Sequence, residues 1–360
     1  MARHGHTRSP GRILGRAIFL ALLALTVWFG RTLLRERTDR HASRAQGITR
    51  EDLPPGPPAP GNLRIATWNI RNFPTDERPQ APDLGFSRRT NREDLEAVLA
   101  GLGFDVLGVE EIRRPDRFLR LLHDALPSTK FGRAFTRSGG RWGQHVGVVW
   151  RRDRLRMVGR PAEIRSVTLG NPDLRPALAV RLRSVREDGI DLLVVQVHLR
   201  ATRKGFDVRC RQARELARWI RREIARSGDT DVVLQGDFNT TGPEGGDLAA
   251  ELRKLDRILG AAGLRRLPNA TGCSEYWEGP GERDGIQIPS LLDQVYLSGL
   301  EERDGSVPLT SWLHCARYDC RPLVSIQGHE DATFWDVSDH CPLTFEVRDR
   351  DMDRVTVPCE

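Results

Sequence analysis

Seven runs of the chain are apolar over five to ten residues and carry β-branched or aromatic side chains. They are Leu63–Ile70, Phe104–Val109, Val146–Trp150, Ile190–Leu199, Asp231–Phe238, Leu291–Leu297 and Pro342–Val347. Several are continuous apolar stretches rather than alternations, which predicts strands buried on both faces. Three intervening stretches repeat at helical spacing. Thr90 and Glu93 form a candidate capping box ahead of Leu95, Val98, Leu99 and Leu102, with Gly103 as the stop. From Arg209 to Arg226, Ala213, Leu216, Ala217, Ile220 and Ile224 make one apolar face. Leu248–Ala262 is the third helix. Strands that alternate with helices, yet also follow one another directly, predict a mixed α/β sandwich; no internal repeat is present.

The N-terminal part has a different pattern. Ala17–Gly30 is uncharged and mainly apolar, preceded by Arg3, Arg8, Arg12 and Arg16 and followed by Arg31. This is a basic region followed by a hydrophobic segment, with no small-residue cleavage site after it. With flanking arginines snorkelling, Ile13–Leu34 is long enough to span a bilayer, so an uncleaved membrane anchor is favoured over a cleaved signal. The expected organisation is a basic, hydrophobic and tether region at 1–52 and a proline-rich spacer at 53–61. A catalytic domain at 62–350, held outside the cytoplasm, and a tail at 351–360 complete it. Leu53–Gly61 holds five prolines in nine residues and reads as a stiff spacer.

Charge changes the picture less than its total suggests. The chain of 360 residues carries a formal +7. Residues 1–60 contribute ten arginines against four acids, so 46 basic and 45 acidic side chains remain in the rest. The folded domain is therefore near neutral and shows no basic footprint by composition. Only Lys130, Lys204 and Lys254 are lysines, and the abundance of arginine makes any single arginine a weak signal. Six cysteines behind an export segment permit disulfides. Cys315 and Cys320 are the expected pair, and their spacing is too isolated to suggest zinc.

Polar side chains at the ends of apolar strands are the unusual feature. Asn69 ends the first strand, Glu110 and Glu111 the second, and His198 the fourth. Asp237 and Asn239 end the fifth, Asp293 lies in the sixth, and Asp339 and His340 precede the last. A lone Gly-Asp-Phe-Asn stretch is usually a turn, and a lone histidine in a strand is usually a satisfied core residue. An aspartate inside Leu-Leu-Asp-Gln-Val-Tyr-Leu is harder to dismiss, because an unpaired buried carboxylate costs several kcal/mol. His340 is its obvious partner.

In order, the motifs Thr-Trp-Asn, Glu-Glu, Val-His-Leu, Gly-Asp-Phe-Asn, Leu-Asp-Gln and Ser-Asp-His resemble the endonuclease/exonuclease/phosphatase superfamily, with its deoxyribonuclease I-like fold, over about residues 61–350. The resemblance implies two packed β-sheets flanked by helices, a four-layer sandwich, with the site at the sheet ends. It implies that Asn69 and Asn239 bind phosphate and that Glu111 and Asp339 belong to the metal site. Asp237 would orient the nucleophile or leaving group, and Asp293 would orient His340. Glu110 stands where the family often has glutamine and would be an extra acid near the metal. The deoxyribonuclease branch pairs the His198 position with an acid, where Gln144 stands here.

Phosphodiester hydrolysis needs an activated water, charge neutralisation on phosphoryl oxygens and protonation of the leaving group. Mg²⁺ at Glu111, with Mn²⁺ or Ca²⁺ as other oxygen-liking ions, suits the second need. His340 is assigned as general base and His198 as general acid or transition-state donor. Tyr276, Trp277 and Arg203 are candidate substrate-loop residues, with Arg200, Lys204 and Arg209 beside Arg203 and Ser138–His145 as a further rim. The leading expectation is an extracytoplasmic endonuclease acting on nucleic acid. The alternatives are a sphingomyelinase-like or other phosphoesterase of lipid or small phosphoesters, and an inert binding module of the same fold. The membrane is an expected partner through the N-terminal segment; no protein partner is inferable.

Overall fold

The computed structural model describes residues 48–75, 90–243, 247–277, 286–299, 301–303, 305–324 and 331–352. In chain order the elements are β1 (Asn62–Phe73), α1 (Arg92–Gly101), β2 (Val106–Ile112), α2 (Pro115–Ala125), β3 (Phe131–Phe135), β4 (His145–Arg151), β5 (Leu155–Met157), β6 (Ala162–Ile164) and β7 (Ala177–Ser184). They continue with β8 (Asp191–His198), α3 (Phe206–Ser227), β9 (Val232–Asp237), α4 (Leu248–Gly260), β10 (Arg265–Arg266), β11 (Glu275–Trp277), β12 (Ile286–Ser290) and β13 (Asp293–Ser298). The last are β14 (Thr310–Ser311), α5 (His314–Arg317), β15 (Leu323–Val324) and β16 (Leu343–Arg348).

Two large sheets form, in the orders β14-β16-β1-β2-β4-β3 and β10-β13-β9-β8-β7-β5, with β6 also on β7. Each contains one parallel pair joined through a helix, β1 with β2 and β8 with β9; the other pairings are antiparallel. A parallel pair requires a crossover, and α1 and α3 supply it. The continuous apolar runs follow from this placement. Leu63, Ile65, Val106, Val148, Val194, Val233 and Phe345 fill the space between the sheets. The opposite faces of the strands pack on helices, with Trp68, Leu107, Leu95, Leu99 and Phe118 on one side and Val195, Leu234, Leu216, Ile220 and Leu255 on the other. The result is the expected four-layer sandwich.

Local details depart from the sequence reading. The helix α1 is capped by Asn91, whose side chain accepts from the backbone of Glu93 and Asp94. Thr90 instead accepts the Thr75 amide. The Leu53–Gly61 stretch is not a free spacer, because it lies along the domain. Arg64 donates to the Gly56 carbonyl and Ala59 donates to Glu346. Just ahead of it, buried Asp52 pairs with Arg317. Cys315 and Cys320 do not pair with each other. Cys315 bonds Cys341 and Cys320 bonds Cys273. Cys315 lies in α5 and Cys320 in the turn after it; Cys315 meets the segment just ahead of β16 and Cys320 the segment just ahead of β11. Cys210 is free and buried.

The hydrophobic segment about 13–34, the tether up to 47, Cys359 and the tail from 353 lie outside the described residues. No helix among the described residues is long and apolar enough to cross a membrane.

Candidate active site

Strand register assembles the site. On one sheet Asn69 lies beside Glu110 across the parallel pair. On the other, His198, Asp237 and Asp293 are consecutive neighbours across β8, β9 and β13. The two sheets face each other, so these strand ends meet. The Asn69 amide donates to Asp237 Oδ2 at 3.0 Å, crossing from one sheet to the other.

Two devices aim the side chains. The pairing of β2 with both neighbours is irregular at Glu110 and Glu111, and Glu111 has φ +60°. Such a bulge re-aims a residue at a strand end. Glu111 is thereby turned towards the cleft, where its Oε2 accepts the Asn72 amide at 2.9 Å and its Oε1 lies 3.8 Å from His198. The glycine of Gly-Asp-Phe-Asn is a steric necessity. Gly236 has φ +131°, and a Cβ there would sit 2.2 Å from the Val197 carbonyl oxygen.

His340 is held firmly. Its Nδ1 bonds Asp293 Oδ2 at 2.8 Å and its Nε2 lies 4.0 Å from Asp237. Its backbone carbonyl accepts from Trp68, and its amide donates to Ser338 Oγ. The Asp293 amide donates to Ser274 Oγ, one residue from the Cys273 bridge, while Cys341 anchors the other side. Burial opposes the charged imidazole, but the carboxylates of Asp293 and Asp237 overcome it and hold the His340 pKa well above its ordinary value. His198 is the opposite case. Its Nε2 is 3.3 Å from Asp237, and its Nδ1 has no hydrogen-bond partner among the described residues. Burial and the Arg175 and His340 charges push its pKa well down. The charge balance thus favours the protonated ring at His340 and the neutral ring at His198.

Asp237 lies between the two imidazoles. The Asn239 amide holds its Oδ1 at 2.8 Å. Burial raises its carboxyl to about 7, against the lowering effect of His340. Asn239 itself, at φ +53°, donates its side-chain amide to the Leu199 carbonyl. Its backbone amide links it to Asp237. Glu110 is fully buried between the sheets, accepting from Gln196 and the Asp237 amide.

The residues present fit a divalent cation. The Asn69 side-chain oxygen, Oδ1, is buried with no hydrogen-bond partner among the described residues. Glu111 is beside it, with its carboxyl raised by burial and by the like charge of Asp339, and lowered by Arg175 and His340. Carboxylate and amide oxygens with spare lone pairs are what a hard cation takes. Among the described residues, the three-ligand clusters of His, Cys, Asp and Glu lie elsewhere, at His314, Cys315 and Cys341 and at Asp191, Asp229 and Asp231. Water and phosphate would therefore complete the coordination here.

Two residues escaped the sequence reading, Arg175 and Glu275. Arg175, just ahead of the unrecognised strand β7, is largely buried, with Glu111 and Asp237 as its charged neighbours. Gln144 accepts a hydrogen bond from it. Glu275 lies across a β-bridge from His340, takes a hydrogen bond from Ser290, and is raised by burial to about 8. The signal available for Arg175 was its position in a short run before an apolar strand, which 53 arginines obscured. The substrate-loop expectations divide. Tyr276 is fully buried, with its hydroxyl on the Arg321 carbonyl, so it anchors the loop. Trp277 is part-exposed and Arg203 is exposed. Arg209 is not available to a polyanion, because it is buried against Glu251 at 2.6 Å.

Residues 66–340 match the model of the Endonuclease/Exonuclease/phosphatase family. The chain belongs to that family. Its members are hydrolases acting on phosphoester bonds, generally with divalent metal ions, on substrates such as nucleic acids. Among solved structures, truncated TDP2 from Caenorhabditis elegans is similar at 14% identity, covering 80% of this chain and 97% of that one, with TM-score 0.51. ANGEL2, a 2',3'-cyclic phosphatase, is similar at 14% identity, covering 79% and 94%, with TM-score 0.50. These likenesses concern the fold. A search of curated proteins found no sequence match. The family matches the resemblance read from the six motifs.

Proposed function

We propose that the chain is a metal-dependent phosphodiesterase, an endonuclease acting outside the cytoplasm. The observation that carries this reading is the meeting of His340–Asp293, Asp237, His198, Asn69 and Glu111 at one end of the two sheets. Glu111, with Asn69 Oδ1 and Asp339, would hold the divalent ion, Mg²⁺ by the hardness of these oxygens. When bound, it would neutralise charge on the phosphoryl oxygens. Asp237, tuned to about 7, accepts the proton of the attacking water, with neutral His198 at its side. A general base poised near the working pH is efficient. His340, charged and fixed by Asp293, presents Nε2–H to the developing oxyanion or the leaving oxygen. Charge-assisted donation of this kind is stronger than a neutral hydrogen bond.

Nucleic acid as substrate is supported by the rim. Trp142 is 64% exposed with the Arg141 guanidinium 5.3 Å from its ring centre, a surface suited to stacking on a base. Placement outside the cytoplasm is supported by the arginine-flanked apolar segment and by the two disulfides. A second reading, a lipid phosphoesterase, draws on Trp277, Ile286 and Ile288, which are exposed on paired strands. Plasmid nicking in Mg²⁺ and in chelator, beside sphingomyelin vesicles and bis-p-nitrophenyl phosphate, tests these readings. Nicking that needs metal supports the first. Turnover of the lipid or the small ester without nicking replaces it with the second, and no turnover of any phosphoester leaves an inert binding module.

A further inference from the structure

Arg175 has an unusual environment for an arginine. It is largely buried, its Nε–H has no partner, and its observed side-chain hydrogen bond among the described residues goes to a neutral group, Gln144 Oε1. Gln144 is itself buried and fixed at its other end, where its Nε2 donates to Asn72 Oδ1 at 2.8 Å. Asn72 closes the chain of contacts, since its backbone amide holds Glu111. It adopts φ +53° in doing so, a conformation that asparagine tolerates better than most residues. The loop before Gln144 is tied to the segment bearing Arg175, with Arg141 donating to the Asp173 carbonyl and the Gln144 amide to Gly139.

We propose that Gln144 is a positioning residue that presents Arg175 to the substrate phosphate without adding a further carboxylate to its surroundings. This deepens the phosphodiesterase reading and rests on it. A guanidinium has five donors and matches two phosphate oxygens at once. A carboxylate in place of Gln144 would also orient it but would cancel its charge before substrate arrived. An amide orients without cancelling, and its second end ties the arginine to the loop that holds Glu111. The neutral tether accounts for an amide, rather than an acid, at position 144.

The test uses the full chain, with inorganic phosphate as probe, first as a competitive inhibitor of bis-p-nitrophenyl phosphate hydrolysis and then by calorimetry. Gln144→Ala is expected to raise KM and the phosphate inhibition constant about tenfold, the loss typical of a hydrogen bond to a charged group, with kcat changing less. Gln144→Glu, which keeps an acceptor, is expected to weaken phosphate at least as much. The decisive arm is a double-mutant cycle: in an Arg175→Ala background, Gln144→Ala should add little. Independent, multiplying effects would overturn the proposal, as would Gln144→Glu binding phosphate as tightly as the parent. Thermal unfolding of each variant separates lost fold from lost positioning. A parent chain that hydrolyses no phosphoester would defeat the phosphodiesterase reading itself, whereas an active parent with multiplying effects would defeat only this inference.

Discussion

The two halves of the site use the same side chain in opposite ways. His340 is surrounded by acids, is bonded to Asp293, and is flanked by one disulfide at the next residue and another close to its partner. His198 is placed by strand register alone, has one ring nitrogen without a partner, and has Arg175 nearby. Burial is common to both and favours the neutral ring. Only the balance of neighbouring charges differs, and it decides which imidazole holds a proton. In the reading proposed above, the donor role goes to the histidine with the carboxylate partner, His340.

The largest expected effect breaks the charged half. His340→Ala should reduce kcat on bis-p-nitrophenyl phosphate by at least about 10³-fold, within the usual contribution of a positioned acid or base group. Asp293→Asn should follow closely, since it removes the charge that keeps the imidazole protonated; a loss under tenfold in either would contradict the assignment. His198→Ala should cost less, about 10²-fold, and a deeper loss than that of His340→Ala would reverse the comparison.

Next comes pH. The Asp237 carboxyl, raised to about 7 by burial, must be ionised to accept a proton, so the rate should rise as pH increases through about 7. His340, held above its ordinary value, must be protonated, so the rate should fall on the alkaline side. His198 is neutral across this range and should add no limb. A kcat profile retaining its acid limb in His198→Asn would sharpen the picture, and loss of that limb would place the titration on His198.

The smallest effect on rate concerns the buttress. Replacing Cys315 and Cys341 together by serine should destabilise the domain by about 2–5 kcal/mol, read by denaturant unfolding. It should lower kcat more than the matched change at Cys273 and Cys320, because Cys341 adjoins His340. Equal rates in both pairs would show that the bridges serve the fold alone.

Much of this was legible in the sequence because the strands are unusually uniform. Seven apolar runs appear as seven strands with shifted ends, and their covered faces follow from sheets packed on helices and on each other. The site residues were legible because carboxylates, amides and imidazoles stand within or at the ends of otherwise apolar runs, in an order that resembles the family motifs. What escaped depends on distant partners. The strand β7 carries Arg181 and Arg183 among its apolar residues, which masked it, and Arg175 was lost with it. Arg209 reads as a surface charge until Glu251, 42 residues on, is brought against it. Tyr276 and Trp277 look alike in sequence, yet alternation in β11 sends one inward and the other out. The cysteine pairing depends on which distant segments, ahead of β11 and β16, are brought against α5 and the turn after it, information that spacing does not contain.

The most direct test is hydrolysis of plasmid DNA and bis-p-nitrophenyl phosphate by the full chain, by His340→Ala and by Glu111→Gln, over a Mg²⁺ titration ending in chelator. The account predicts turnover that chelator abolishes, that His340→Ala loses at every metal concentration, and that Glu111→Gln restores in part when metal is raised. Turnover indifferent to chelator and to both substitutions would contradict it.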